Sequence, residues 1–206
     1  SGKGYLTFAI HDYLRNTLQA DGQVTGVELR QDLVTLCNAA AARLQHPGLA
    51  FKCGDVRSVA PSELDVMIAL HACDIATDYA IHTGIRSGAA IILCSPCCHK
   101  QLRLQIHSPA LLKPMLQYGL HLGQQAEMLT DSLRAGCLEA CGYETKVFEF
   151  ISLEHTTKNK MILAIKRPEP VDPAALLVKI QALKAFYNIS EHCLETLLRA
   201  DGYLPE

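Results

Sequence analysis

The chain has 206 residues, 49% of them hydrophobic, which is enough for one α/β domain with a packed core and a small appendage. A net charge of −2 and a pI near 6.5 exclude a chain-wide basic face that binds nucleic acid or anionic membranes by charge alone, and leave room for a local basic patch. No apolar run approaches the roughly 18 residues of a membrane span, and the nine cysteines, several of them inside apolar patterns, read as small hydrophobes of a reduced, cytoplasmic protein.

In chain order, Ser1-Gly2-Lys3-Gly4 opens directly into a helix over 4–20, with Leu6, Ile10, Tyr13, Leu14 and Leu18 at helical spacing. Doubly wound folds put a strand before such a turn. None stands here, so the chain reads as a fragment lacking its first strand, which leaves an upstream targeting segment open. A strand over 24–29, a helix over 31–45 and a strand over 49–53 follow, the last closing on Gly54-Asp55. A buried strand at 65–70 leads to a helix over 74–86, and another at 89–94 runs into the loop Ser95-Pro96-Cys97-Cys98-His99-Lys100-Gln101. Helices near 109–118 and 125–140 precede two strands, 143–153 and 161–166, joined by Glu154 to Asn159. Pro168, Pro170 and Pro173 mark a linker to two further helices, 174–187 and 191–200, with Ser190 as N-cap.

Strand–helix alternation implies a parallel sheet with right-handed crossovers, and the closing strand pair has to be antiparallel because its connection is short. The expected architecture is a Rossmann-like α/β domain over 1–167 with an antiparallel last strand, followed by a helical extension over 168–206 that caps the sheet or dimerises. In such sheets ligands bind beyond the carboxyl ends of the strands. That rim collects Gly2–Gly4, Glu28, Asp55, His71–Asp74, Cys94–Gln101 and Glu154–Asn159.

Glycines at the mouth of a helix let a ligand approach bare backbone and free N–H groups. Glu28 closes the second expected strand, 24 positions after Gly4, as a ribose-hydroxyl acceptor should, and Asp55 is placed to meet an adenine amino group. Read singly, each carboxylate is an ordinary solvated residue at a strand end. NAD and S-adenosyl-L-methionine both fit this outline, and the antiparallel last strand favours the latter by fold analogy.

With Ser1-Gly2-Lys3-Gly4-Tyr5-Leu6, Leu70-His71-Ala72-Cys73-Asp74-Ile75-Ala76-Thr77-Asp78 and Ser95-Pro96-Cys97-Cys98-His99-Lys100, the chain resembles the class I S-adenosyl-L-methionine-dependent methyltransferases. It resembles the branch with a P-C-C-H/Y segment, which includes the methyltransferase-like domains of glutathione S-transferase C-terminal-domain-containing proteins and is related to tRNA 2′-O-methyltransferases. The resemblance spans residues 1 to about 167. It implies that Gly2 and Gly4 flank the methionine part of the cofactor with Lys3 beside them. It also implies that Glu28 takes the ribose, that Asp55 with Val56 faces the adenine, and that Leu70 and His71 line the methionine side.

The Cys97-Cys98-His99 loop has three readings. A thiolate of Cys97 or Cys98, its pKa lowered by His99 or Lys100, would serve nucleophilic catalysis. His71, Cys73, Cys97, Cys98 and His99 are zinc-type ligands, but adjacent cysteines rarely both reach one tetrahedral ion and no C-x-x-C pair exists, so no metal is expected. In the third reading the thiols simply pack in a pocket wall. His71 serves as general base for a hydroxyl or ring nitrogen, or as a satisfied structural histidine. The Asn/Asp-Pro-Pro-aromatic sequence of amino-group methyltransferases is missing, and Asp78 reads as a solvent-facing helix residue. Lys100, His155, Lys158 and Asn159 are the candidate substrate contacts, Lys158 for a phosphate and Asn159 for a base. Alternatively the 154–159 segment is a turn held by its own side chains. Lys100, Arg103, Lys158 and Lys160 form a modest basic lip. The resemblance, more than charge, implies methyl transfer to an rRNA or tRNA. The competing expectations are a non-catalytic binding module of a larger RNA-associated protein and an NAD-dependent oxidoreductase.

Overall fold

A computed structural model of the chain describes residues 1–59, 61, 63–70, 72–151 and 159–205. By its contacts the chain divides into two units, residues 1–59 and 60–206. In the first, helix α1 (Tyr5–Asp12) runs into a wider π-helical turn at Tyr13–Thr17, followed by β1 (Val24–Glu28), α2 (Gln31–Arg43) and β2 (Leu49–Cys53). The strands are parallel, with Val24 opposite Leu49 and Glu28 opposite Cys53. Val34, Cys37 and Ala41 recur at helical spacing, so α2 lays one apolar face on Leu49 and Phe51. Asn38 on the same helix pairs its amide with both backbone groups of Phe51, at 2.8 and 2.9 Å, which satisfies part of the β2 edge.

The second unit runs β3 (Val66–Leu70), α3 (Ile75–Arg86), β4 (Ile91–Ser95), α4 (Lys100–Gln105), a 3₁₀ turn (Ala110–Leu112), α5 (Lys113–Leu116), α6 (Gly119–Ala140), β5 (Tyr143–Glu149), β6 (Lys160–Lys166), α7 (Ala174–Tyr187) and α8 (Cys193–Ala200). Its strand order is β3-β4-β6-β5, with β3 and β4 parallel and β6 antiparallel to both of its neighbours. The α/β class and the antiparallel last pair are those expected. Each unit holds its own sheet, β1–β2 in the first and β3-β4-β6-β5 in the second. No helix among the described residues is long and apolar enough to cross a membrane.

Helix boundaries shift where side-chain chemistry overrides local pattern. The Cys-Cys-His loop ends at α4, whose six residues are too few to show a period. Helix α6 begins at Gly119 rather than near 125, because Gly119 and Gly123 leave room for the Arg103 guanidinium, which lies 3.8–3.9 Å from where their Cβ atoms would stand. Ser190 does not cap α8. Gln105 of α4 instead accepts from the Ser190 and Glu191 amides, at 3.1 and 2.9 Å, while Gln101 accepts from the Cys193 amide at 3.1 Å. Two glutamines of α4 thereby stand in for the missing cap.

A buried polar network joins these helices. Asp78 is 1% exposed rather than solvent-facing. Arg134 of α6, also 1% exposed, grips it with a fork, Nε to Oδ1 at 3.0 Å and Nη2 to Oδ2 at 2.8 Å, and gives Nη2 to the Asp74 carbonyl at 2.9 Å. Asp131 stands 3.4 Å from Arg134 on the other side. His192, just ahead of α8, lies 3.6 Å from Asp78. In α7 and α8, Lys184 bonds Glu195 at 2.5 Å, and Glu195 also accepts from Arg199 and Gln181. The helical extension is therefore fastened to α4 by capping contacts and to α3 by the Arg86–Asp201 ion pair at 3.2 Å.

A buried pair is most costly when half of it is removed. Arg134→Met should lower unfolding stability by about 3–5 kcal/mol, and adding Asp78→Leu should restore much of that loss, read by chemical denaturation. Equal loss in the single and double variants would contradict this account.

The network also sets a pH dependence. Burial, against the pull of Asp78 and Glu195 and with the push of Arg134 and Lys184, lowers His192 to about 4. Burial raises Asp131 to about 6 despite Arg134 and Lys160, with Glu127 adding to the rise. The stability from neutral His192 is full above its unfolded value near 6.5 and is lost as pH falls toward 4. Asp131 runs the other way: the folded chain takes up its proton near pH 6 and the unfolded chain near 3.8, so stability rises as pH falls between them. The two offset each other over much of that range. Asp131→Asn should therefore gain on wild type by on the order of 2–3 kcal/mol from pH 4 to pH 7, measured by urea titration at each pH. Parallel curves for the two proteins would refute this.

Candidate functional site

In the first unit the Ser1–Gly4 turn is closed by the Gly4 amide donating to the Ser1 carbonyl at 3.0 Å, and it delivers the chain into α1. Both glycines sit in the left-handed region, Gly2 at φ 57° and Gly4 at φ 73°. Their surroundings differ. A Cβ on Gly4 would stand 2.8 Å from the Phe51 ring and 3.2 Å from the Cys37 sulfur, whereas one on Gly2 would meet nothing within 4 Å. Gly4 thus serves close packing, and Gly2 leaves an open approach to backbone.

Glu28, at the end of β1, anchors this turn. Its Oε2 accepts the Gly2 amide at 2.6 Å and the Ser1 amine at 3.0 Å, and its Oε1 accepts the Arg30 amide at 3.2 Å. The Gly2 amide above all holds the carboxyl below the usual carboxylate range, so it is ionised at neutral pH. Asp55, just beyond β2, accepts the Arg57 amide at 2.9 Å and the Arg57 guanidinium at 2.5 and 2.9 Å, which likewise keeps it near 2. An adenine amino group would have to share Asp55 with Arg57. Val56 beside it is half-buried, and Lys3 is exposed.

In the second unit the loops after β3 and β4 meet. Cys73 and Cys97 approach to 3.4 Å between sulfurs, Cys97 and Cys98 to 3.8 Å, and all three sulfurs lie within 4.8 Å of one another. Asp74 adopts φ 53°, ψ −127°, a conformation that costs a residue with a side chain roughly 1–3 kcal/mol. Three bonds enforce the loop: the Gln101 amide to Asp74 Oδ1 at 3.1 Å, Arg134 Nη2 to the Asp74 carbonyl at 2.9 Å, and Thr77 Oγ1 to the Ala72 carbonyl at 2.5 Å.

Burial, then the hydrogen bonds of Cys73 and Cys98, push the Cys97 thiol up to about 12. The His99 ring is 8% exposed and turned toward Asp131, with Nδ1 3.8 Å from Oδ1. Cys98 is half-buried beside Cys97, Lys100 is exposed at the start of α4, and Leu70 ends β3 half-buried.

Among the expected substrate contacts, Asn159 is fully buried, and its Nδ2 donates to the Ile151 carbonyl at 2.7 Å. The basic lip is weaker than expected, because Lys160 is paired with Glu127 at 2.8 Å and Arg103 donates to the Gly119 carbonyl at 3.3 Å. His71, His155 and Lys158 lie outside the described residues. Sequence reasoning missed the support of Asp74 by Gln101 and Arg134. Its one legible trace is a charged residue, Asp78 or Arg134, on the buried face of an apolar helix.

The family model described as a methyltransferase domain matches residues 1–105. The glutathione S-transferase C-terminal domain-containing proteins of Homo sapiens and Bos taurus are 27% and 26% identical to the chain over 125 residues, covering 49% of it and 20% of each relative. The chain thus spans about a fifth of the length of these curated relatives. Its fold is similar to that of the 23S rRNA methyltransferase ErmE, with a TM-score of 0.53 and 16% identity, covering 96% of this chain and 72% of that one. The family match takes in the glycine turn, both strand-end carboxylates and the three clustered thiols, and over that half of its length the chain belongs to the methyltransferase domain family.

Proposed function

We propose that the chain binds S-adenosyl-L-methionine and takes part in methyl transfer to RNA. The observation that carries the cofactor reading is the Gly2–Glu28 bond at 2.6 Å, in a chain whose family match includes both residues. It ties the open glycine backbone to an ionised carboxylate at the end of a parallel strand, the pairing that holds an adenosyl group in such folds. Gly2, Lys3 and Gly4 supply backbone to the cofactor, Glu28 accepts from its ribose, and Asp55 with Val56 borders its base.

The bound cofactor supplies an electrophilic methyl on a sulfonium. The chain's residues orient that group and exclude water from it, and in-line transfer asks for no protein nucleophile. Protonated Cys97 accords with this. The RNA acceptor is favoured by the likeness to an rRNA methyltransferase and by the P-C-C-H resemblance. Charge adds little, since the chain is slightly acidic and Lys160 is neutralised by Glu127.

Calorimetric titration of the purified protein with S-adenosyl-L-methionine, and separately with NAD, tests the cofactor. Saturable binding of the first alone is expected. No binding of it would overturn the proposal and favour a non-catalytic module, and tighter binding of NAD would favour an oxidoreductase. Glu28→Ala should weaken cofactor binding by roughly 1–3 kcal/mol, as for a lost charge-assisted hydrogen bond. Gly2→Ala and Gly4→Ala should separate the two glycines. Each incurs about 1–2 kcal/mol of left-handed strain. Gly4→Ala also drives into the Phe51 ring and should melt the first unit earlier, while Gly2→Ala should act mainly on cofactor affinity. The reverse order in thermal unfolding would contradict the packing argument.

A further inference from the structure

We propose that Cys73, Cys97 and Cys98 supply three thiolate ligands of a zinc site. Such a site is independent of whether the chain transfers methyl groups. Tetrahedral zinc bound at about 2.3 Å by each sulfur sets neighbouring sulfurs about 3.8 Å apart. The observed separations of 3.4 and 3.8 Å, with every pair inside 4.8 Å, bracket that edge without any large movement. Three sulfurs from two different loops meet here. Among the described residues no fourth cysteine, histidine or carboxylate joins the group.

The loops are held as a ligand cage should be. The Gln101 amide ties the loop after β4 to Asp74 beside Cys73, Thr77 fixes the Ala72 carbonyl on its other side, and Arg134 braces the Asp74 carbonyl from beneath. Asp74 is forced into a conformation that favours glycine, and no packing need among the thiols explains that. Cys73 is exposed, which gives an ion an entry path. The adjacent pair Cys97-Cys98 argues against a closed tetrahedral site on sequence alone. The geometry answers that objection, since their sulfurs already stand 3.8 Å apart. On binding, the three sulfurs release their protons to solvent and form three zinc–sulfur bonds, with no change of oxidation state.

The test uses the protein purified under a non-thiol reductant and dialysed against a weak chelator. Elemental analysis should return about one zinc per chain. Cobalt substitution should give the near-ultraviolet thiolate-to-metal band of three sulfurs. Loaded protein should resist alkylation at Cys73, Cys97 and Cys98 while exposed Cys53 is labelled, read by peptide mass spectrometry. Cys73→Ser, Cys97→Ser and Cys98→Ser should each lower zinc affinity by roughly tenfold or more, with Cys53→Ser unchanged. The cobalt band and the alkylation pattern need no variant, so a serine variant that fails to fold leaves the test intact. Zinc absent from the wild-type protein, zinc retained equally by the three serine variants, or unprotected thiols would overturn the site. So would recovery of a Cys73–Cys97 disulfide in metal-free protein, which would make the pair a redox couple instead.

Discussion

The second unit is organised around one buried ion pair. Arg134 and Asp78 belong to different helices, both are almost completely shielded from water, and each depends on the other to be tolerated there. The pair does more than neutralise two charges. The guanidinium has a third acceptor, the Asp74 carbonyl, and that carbonyl sits where the chain leaves β3 and turns into α3 in a strained conformation. A hydrophobic pair of equal volume would pack as well and would leave Asp74 without that bond. The cost of burying charge here is therefore matched to a geometric need, the aim of the loop that carries Cys73.

From that pair outward the polar contacts are arranged by reach. Lys184 and Glu195 neutralise one another between α7 and α8, and Gln101 and Gln105 supply the end of α8 with the acceptors its own sequence lacks. His192 stays neutral between these groups because burial outweighs the attraction of Asp78. The helical extension and the cysteine loop share α4: one end of that helix follows His99, and its glutamines hold the start of α8.

Much of this was legible in the sequence wherever periodicity or punctuation carried it. The strands β1 to β4 and the helices α2, α3, α7 and α8 fall where apolar spacing and Gly or Pro breaks put them, and the short final connection forced antiparallel pairing. The glycine turn and Glu28 were legible because their chemistry is local to a strand end. Asp78 was misread for a physical reason. A charge on a helix reads as solvent-facing unless its partner is known, and Arg134 lies 56 positions away. Asn159 kept two readings open because a polar residue at such a position offers the same pattern whether it faces a ligand or its own backbone. Helix α4 carries too few residues to show a period, and the start of α6 was hidden by glycines whose purpose is to admit Arg103.

The thiol cluster shows how one motif changes meaning once its surroundings are known. A P-C-C-H loop read alone suggests an activated nucleophile, and activation requires a cation or base close enough to stabilise a thiolate. The neighbours that the described residues bring to Cys97 are two more thiols. Three thiolates sharing a divalent ion suit such a site, because the ion's charge stabilises them and its bonds replace the sulfur–sulfur contacts. The same closeness makes the cluster a ligand set. The braces on Asp74 then have a purpose that a passive pocket wall would not require.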